Sequence, residues 1–298
     1  MPARRPSPTV ARWTMSSTHD HTHQLTAAEY ALDEPGRVDP TSTTSIQRSL
    51  ARFLRGRIGH LNADVRKLLV EEDALGLGDG VGGRWADLSA AETARRFNDW
   101  IQRAIQTEVL DPIEARKVRD WFERASRQAL RTANGELRGF DADPEPVDDV
   151  IQQDAVQEQI DLQQEDTRQR VESWMDDYAT DTRSLVTAAV GGAVAKSQLM
   201  SDISERAQVY KSQVTSTASG RVVNQYSTTK LTAYDRVRGD VELDVDVSYE
   251  DAGDDKVCER CLALSGQSWT LARAQQEDPI PVHGHCRCQF VVTDVQQL

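Results

Sequence analysis

Apolar positions in this chain recur at three- and four-residue steps over most of its length, and at two-residue steps only near the C-terminal end. Ile46, Leu50, Phe53, Leu54, Ile58, Leu61, Val65, Leu68 and Leu69 form one such stripe behind a Ser/Thr-rich start, which predicts an amphipathic helix. The glycine-rich stretch at 79–83 breaks it. Ser89 with Glu92 has the spacing of a capping box, and Phe97, Trp100, Ile101, Ala104 and Ile105 line one side of the helix it would open. Asp111-Pro112 is expected to open the next helix, since proline is tolerated in a first turn. Val118, Trp121, Phe122, Ala125 and Leu130 mark its buried stripe, and Asn134-Gly135 is expected to close it.

A proline-interrupted acidic linker at 140–149 precedes a long polar helix, expected over about 147–180. Its apolar anchors are few: Val150, Ile151, Val156, Ile160, Leu162, Val171 and Trp174. Such a helix is expected to be exposed on most faces or to pack on a partner. Residues 185–200 are the reverse, small and apolar, and predict a buried helix or a helix pair bent at Gly191-Gly192. A further helix is expected from Ser204 to about Tyr234.

The period then changes. Val241, Leu243, Val245, Val247 and Tyr249 alternate with Glu242, Asp244, Asp246 and Ser248, the signature of a half-buried strand, and 289–295 is a second strand candidate. Residues 1–40 are rich in Pro, Ser, Thr and His without a period and predict an unstructured tail; its three histidines at 19–23 have the chemistry to bind metal but are common in such tails. The expected architecture is mostly α: an extended helical body with a small C-terminal α+β unit, its short antiparallel sheet stapled by Cys and His. The expected divisions are the tail 1–40, a helical region 41–140, an acidic linker and long polar helix 141–184, and the C-terminal unit 185–298.

Composition sharpens this. An apolar fraction of 38% and an aromatic fraction of 6% are lean, so one large core is not expected. No run of about 18 apolar residues is present, so no membrane-spanning helix is expected. No apolar stretch follows Arg4, Arg5 and Arg12, so a secretory leader is not expected either, and thiols are expected to meet a reducing medium at synthesis.

The net charge is −13, built from 30 Asp, 18 Glu, 29 Arg and 6 Lys. Abundant Asp with scarce Lys suits concentrated salt and points to a salt-loving host, although GC-rich coding also favours Arg over Lys. Residues 141–182 carry 14 acids against Arg168 and Arg170, while 41–70 carry Arg48, Arg52, Arg55, Arg57, Arg66 and Lys67 against Asp64. So acidic a chain is a poor general DNA binder. The basic stretch is either a solvated helix face or a contact for nucleic acid or an acidic partner.

All four cysteines fall within 31 residues, 258–288. Cys258-x2-Cys261 forms a knuckle, followed by His283-x2-Cys286-x-Cys288 with His285 between. Cys258, Cys261, His283 and Cys286 supply the soft and borderline donors of a closed tetrahedral zinc site, with Cys288 or His285 as alternates. A closed site is structural rather than catalytic. Four cysteines also admit three disulfide pairings, between which sequence does not choose. A thioredoxin-like pair lacks its βαβ context, and a Cys–His nucleophile lacks an orienting third group. No other catalytic constellation or phosphate-cradling loop is legible, so enzymatic activity is not expected.

The stretch from Asp254 to Val292 resembles the C-terminal signature of the phage Mu F-like minor head proteins, the head morphogenesis family of tailed viruses. Asp255 or Asp254, Val257, Cys258, Cys261, Leu264, Gly266, Pro281, His283, Cys286, Arg287 and Cys288 fit it, while Gly284-His285 stands where Pro-Asn is usual. Upstream, Lys211, Ser212 and Gln213 stand where Arg-Thr-Glu is usual, which removes a potential salt bridge. The resemblance covers about 185–298. It implies a minor capsid protein in the virion, inside the head near the portal vertex, present in the host cytoplasm during assembly. Implied partners are the portal, the major capsid protein or scaffold, and secondarily packaged DNA, with effects on packaging or ejection; the salt-adapted composition would place the virus in a halophilic archaeon. The alternatives are a zinc-binding nucleic-acid-associated protein, or a head protein carrying a toxin or transferase activity.

Overall fold

The structure is a computed structural model that describes residues 38–77, 83–115, 117–236 and 243–297. The tail 1–37 with its histidines, most of the glycine-rich loop, and Val241 and Glu242 lie outside the described residues.

Helix α1 (Thr44–Arg66) buries Ile46, Leu50, Leu54, Ile58, Leu61 and Val65, as its stripe predicts, and continues into a π-helical turn at Lys67–Glu71. Helix α2 (Ala90–Ile105) starts at Ser89, whose hydroxyl accepts the Glu92 N–H at 3.3 Å, and also runs into a π-helical turn, Gln106–Leu110. Pro112 lies in the first turn of α3 (Asp111–Glu114), which is only four residues long; the long helix, α4 (Lys117–Arg138), begins beyond it. Asn134-Gly135 does not close α4. Asn134 Nδ2 donates instead to the Glu145 carbonyl at 2.9 Å, and the extra turn brings buried Leu137 into the core.

The acidic segment opens with α5 (Val147–Ile151) and continues as α6 (Asp154–Val190). Its stripe of Val156, Ile160, Val171, Met175, Tyr178 and Val186 is buried against α2, α4 and α7 (Lys196–Ala233), so the partner it needs is its own chain. Leu162 is not an anchor but is 48% exposed. Of the two readings for the small-residue stretch 185–200, the helix pair bent at Gly191-Gly192 is the one found, not a single buried helix. The bend is the α6–α7 hairpin tip, with Gly191, Gly192 and Ala193 exposed, and Gly192 at φ +76°, a conformation that costs glycine little. α7 starts earlier than expected from Ser204, and its first residue, Lys196, is tied at 2.7 Å to Asp73 after α1.

α7 is the central helix, packed by α1, α4 and α6 and, at its C-terminal half, by the sheet and α9 (Leu271–Glu277). The sheet has order β2-β1-β3 and is wholly antiparallel: β1 is Leu243–Glu250, β2 Ser268–Thr270 and β3 Gln289–Gln297. Thr293 is the extra residue of a β-bulge between the Asp246–Asp294 and Val247–Val292 pairs. Val245, Val247, Tyr249, Phe290 and Val292 turn inward. Contrary to the expectation from lean composition, one contiguous buried cluster runs from Ile46 to Val292. Small residues make this economical: Ala207, Ala218 and Ala233 let α7 approach its neighbours closely, and buried polar groups fill the rest.

Candidate metal centre

The cysteine window folds as a short helix and a loop brought face to face. Cys258 caps α8 (Glu259–Leu264), its sulfur accepting the Cys261 N–H at 3.4 Å; this sets both sulfurs of the C-x2-C on one side of the first turn. The second half of the set comes from the loop leading into β3. Gly284 permits that loop to lie on α7: its Cα would be 3.4 Å from a Cβ at Gly220, and a Cβ on Gly284 itself would strike Ser216. This close approach places His283, Cys286 and Cys288 opposite α8.

The ligand atoms form two overlapping groups, Cys258/Cys261/His283 and Cys261/Cys286/Cys288, each with all atoms within 4.8 Å of one another. The cluster of these five residues could hold a metal ion. All four cysteines are free thiols; Cys261, Cys286 and Cys288 are buried and Cys258 is partly so. His285 lines the adjoining cavity but belongs to neither group. That cavity is about 10 Å³ and is also lined by Cys258, Cys261, His283, Cys288 and Arg287, enough for a single ion- or water-sized sphere. A larger cavity of about 350 Å³ between the two π-helical turns mixes Asp64, Lys67, Glu72, Arg84, Arg103 and Glu108 around Trp100, with no converging set of one chemistry.

The electrostatics follow from burying so much sulfur together. Hydrogen bonds from Cys261 and Cys288 hold the Cys286 thiol well below its ordinary range. The same bonding, to Cys286 and then Cys288, pushes Cys261 up. Cys288 is drawn down by Cys261 but pushed up more by Cys286 and by burial, to about 12. His283 presents Nε2 to Cys261 Sγ at 3.6 Å, and its Nδ1 accepts the His285 N–H at 3.3 Å, which puts the ring proton on Nε2. Loss of hydration lowers the His283 pKa, with the Cys286 charge opposing. The fully buried Tyr249 hydroxyl lies beside the Cys288 sulfur, and burial, then the Cys286 charge, raise its pKa.

Two residues outside the donor set brace it. Arg287, between Cys286 and Cys288, makes a two-pronged ion pair with Asp254, four residues before Cys258; Nη2 donates to Oδ1 at 2.8 Å, and both side chains are 7% exposed. Arg287 Nη1 also donates to the Val38 carbonyl at 2.7 Å, and the Val38 N–H donates to Asp254 Oδ2 at 3.1 Å. Of the two aspartates that the motif allows, Asp254 is therefore the one engaged. Beyond Cys288, Gln289 enters a buried network: its Oε1 accepts from Lys230 Nζ at 3.1 Å and Tyr226 at 3.3 Å, and Lys230 pairs with Glu136 at 2.7 Å. Lys230, in the Ser/Thr-rich last turns of α7, gave no signal of this in sequence. Comparison with family models, with curated proteins and with solved structures found no match to this chain.

Proposed function

We propose that the protein is a minor head component of a tailed virus, associating with the portal and the inner capsid or scaffold during head assembly, and that its cysteine cluster holds a structural zinc ion. The observation that carries this reading is the meeting of the motif residues. Asp254, Cys258, Cys261, His283, Cys286, Arg287 and Cys288, separated by up to 34 positions, close on one corner of the sheet as donors and brace. Thiolate and imidazole together suit zinc, whose affinity for such sets is high. The ion-sized cavity, with the sulfurs around it and the buried Tyr249 hydroxyl beside Cys288, fits a cation with thiolate ligands. Zinc there would contribute folding free energy, and with all positions filled by protein it would not present substrate. The role proposed is thus assembly rather than catalysis.

Two measurements test it. Purified protein should carry about one equivalent of zinc; metal-free protein with two intact disulfides would refute that half. The protein should co-purify with mature particles at low copy relative to the major capsid protein. Recovery only from the particle-free fraction of infected cells would refute the other half.

A further inference from the structure

The basic stretch of α1 plays no part in the metal centre, and the structure shows where its charges stand. Arg52, Arg55 and Gly59 follow one another at three- and four-residue steps on one face of the helix, with Arg66 two turns further on. The three arginines are exposed. Lys211 reaches across from α7 to the same face: a Cβ at Gly59 would stand 3.7 Å from its Nζ. None of these four cations has an ion partner among the described residues. The one acid of α1, Asp64, lines the cavity beside Trp100 instead. By contrast, Arg95, Arg127, Arg168 and Arg273 each meet a carboxylate at 2.6–3.0 Å.

The complement to this face lies on α6. Asp154, Glu158 and Leu162 form a ridge of four-residue steps turned away from the buried stripe, and all three are exposed. Neither acid has an ion partner among the described residues. The ridge thus carries two free carboxylates and an apolar knob. The basic face has room for that knob, because nothing lies within 4 Å of a Cβ at Gly56, one turn beyond Arg52. The two surfaces do not meet within one molecule. Gln159, beside the acidic ridge, bonds Thr232 of α7 at 3.3 Å, whereas Gly59 lies by Lys211 of the same helix. Lys211 and Thr232 are separated by about 30 Å of helix.

We propose that these surfaces pair between copies of the chain: α6 of one molecule lies on α1 of a second, with Leu162 over Gly56 and Gly59. Asp154 and Glu158 then stand among Arg52, Arg55 and Lys211. Charge complementarity sets partner and register, and the small residues let the two helices approach closely. A second copy fits better than nucleic acid. Phosphate offers no knob for the glycine notch, and a chain of net charge −13 repels a polyanion everywhere beyond this patch. Neither surface includes a residue of the metal centre, so the contact does not depend on zinc.

Sedimentation velocity of the full chain over a concentration series tests this, at the lowest salt at which far-ultraviolet dichroism shows the fold intact. The unmodified protein should self-associate. R52E/R55E and D154K/E158K should each raise the dissociation constant at least ~10-fold, because each sets like charges face to face. An equimolar mixture of the two variants should associate again, since the native basic face of one meets the native acidic ridge of the other. L162A, which changes no charge, should also weaken association. An unmodified protein that stays monomeric at every concentration would overturn the proposal, as would self-association that R52E/R55E leaves unchanged or a mixture of folded variants that does not associate. Duplex DNA bound by a monomeric unmodified protein and lost in R52E/R55E would assign the face to nucleic acid and overturn it equally.

Discussion

Lys230 is 1% exposed, bonded to Glu136 and Gln289 and flanked by the rings of Tyr226 and Tyr234. Burial lowers its pKa and Glu136 raises it. Removing one partner of a buried pair strands the other charge. K230A is expected to cost about 3 kcal/mol, the low end of the ~3–5 range, because the Glu136 side chain keeps 20% of its surface exposed; urea denaturation measures it. Asp278 behaves in the opposite sense. Half-buried and facing Ser227 and Thr228, it is pushed up by burial to about 7. Between the ordinary Asp value near ~4 and about 7 the folded state holds the extra proton, so stability should fall as pH rises through that window. D278N should flatten the dependence, seen as converging denaturation midpoints at the two ends of the window. Tyr249 tests the outer shell of the metal centre: Y249F should weaken zinc binding about 10–100-fold in a chelator competition.

At the scale of elements, the α6–α7 hairpin shows how an acidic helix finds cover for its apolar stripe within its own chain. Each helix is about 55 Å long. α6 buries one stripe on its own chain and answers its charges with Arg119–Asp161 at 2.8 Å, Arg221–Asp166 at 3.0 Å and Arg168 between Glu165 and Glu172. The Val38–Asp254–Arg287 clamp joins the segment before α1 to the metal centre. Arg287 holds the Asp254 carboxyl far below the usual range, so its stabilising contribution is complete above the ordinary Asp pKa and is lost only as pH falls well below it. D254N should free the Val38 amide, raising its hydrogen-exchange rate and lowering zinc affinity, while the α6–α7 hairpin, which does not touch the clamp, keeps its protection.

Across the whole molecule, the shared core couples the sheet to the helices. Chelation in the zinc-loaded protein should therefore lower the melting temperature of the entire unit rather than release the C-terminal segment alone; near- and far-ultraviolet dichroism melting together would show this, and a separate early transition would argue against it. The sequence determined by itself what is periodic or local. The stripes of α1 and α2, the Ser89 cap, the alternation of β1 and β3 and the C-x2-C knuckle are all short-range patterns, readable because each is fixed by the 3.6- or two-residue repeat of its backbone. Only the tertiary structure decided what depends on contacts between distant residues. It extended α4 past Asn134-Gly135 because Leu137 is buried there, chose the bent helix pair over a single buried helix for the small-residue stretch, and buried polar residues along central α7, where Ser219 meets Gln47 at 2.7 Å and Gln225 meets Ser126 at 2.8 Å. It also chose Asp254 over Asp255 and set Cys288, not Cys286, on the cavity wall. Spacing along a chain fixes which donors can meet; the fold of the intervening loop against Ser216 and Gly220 fixes which do.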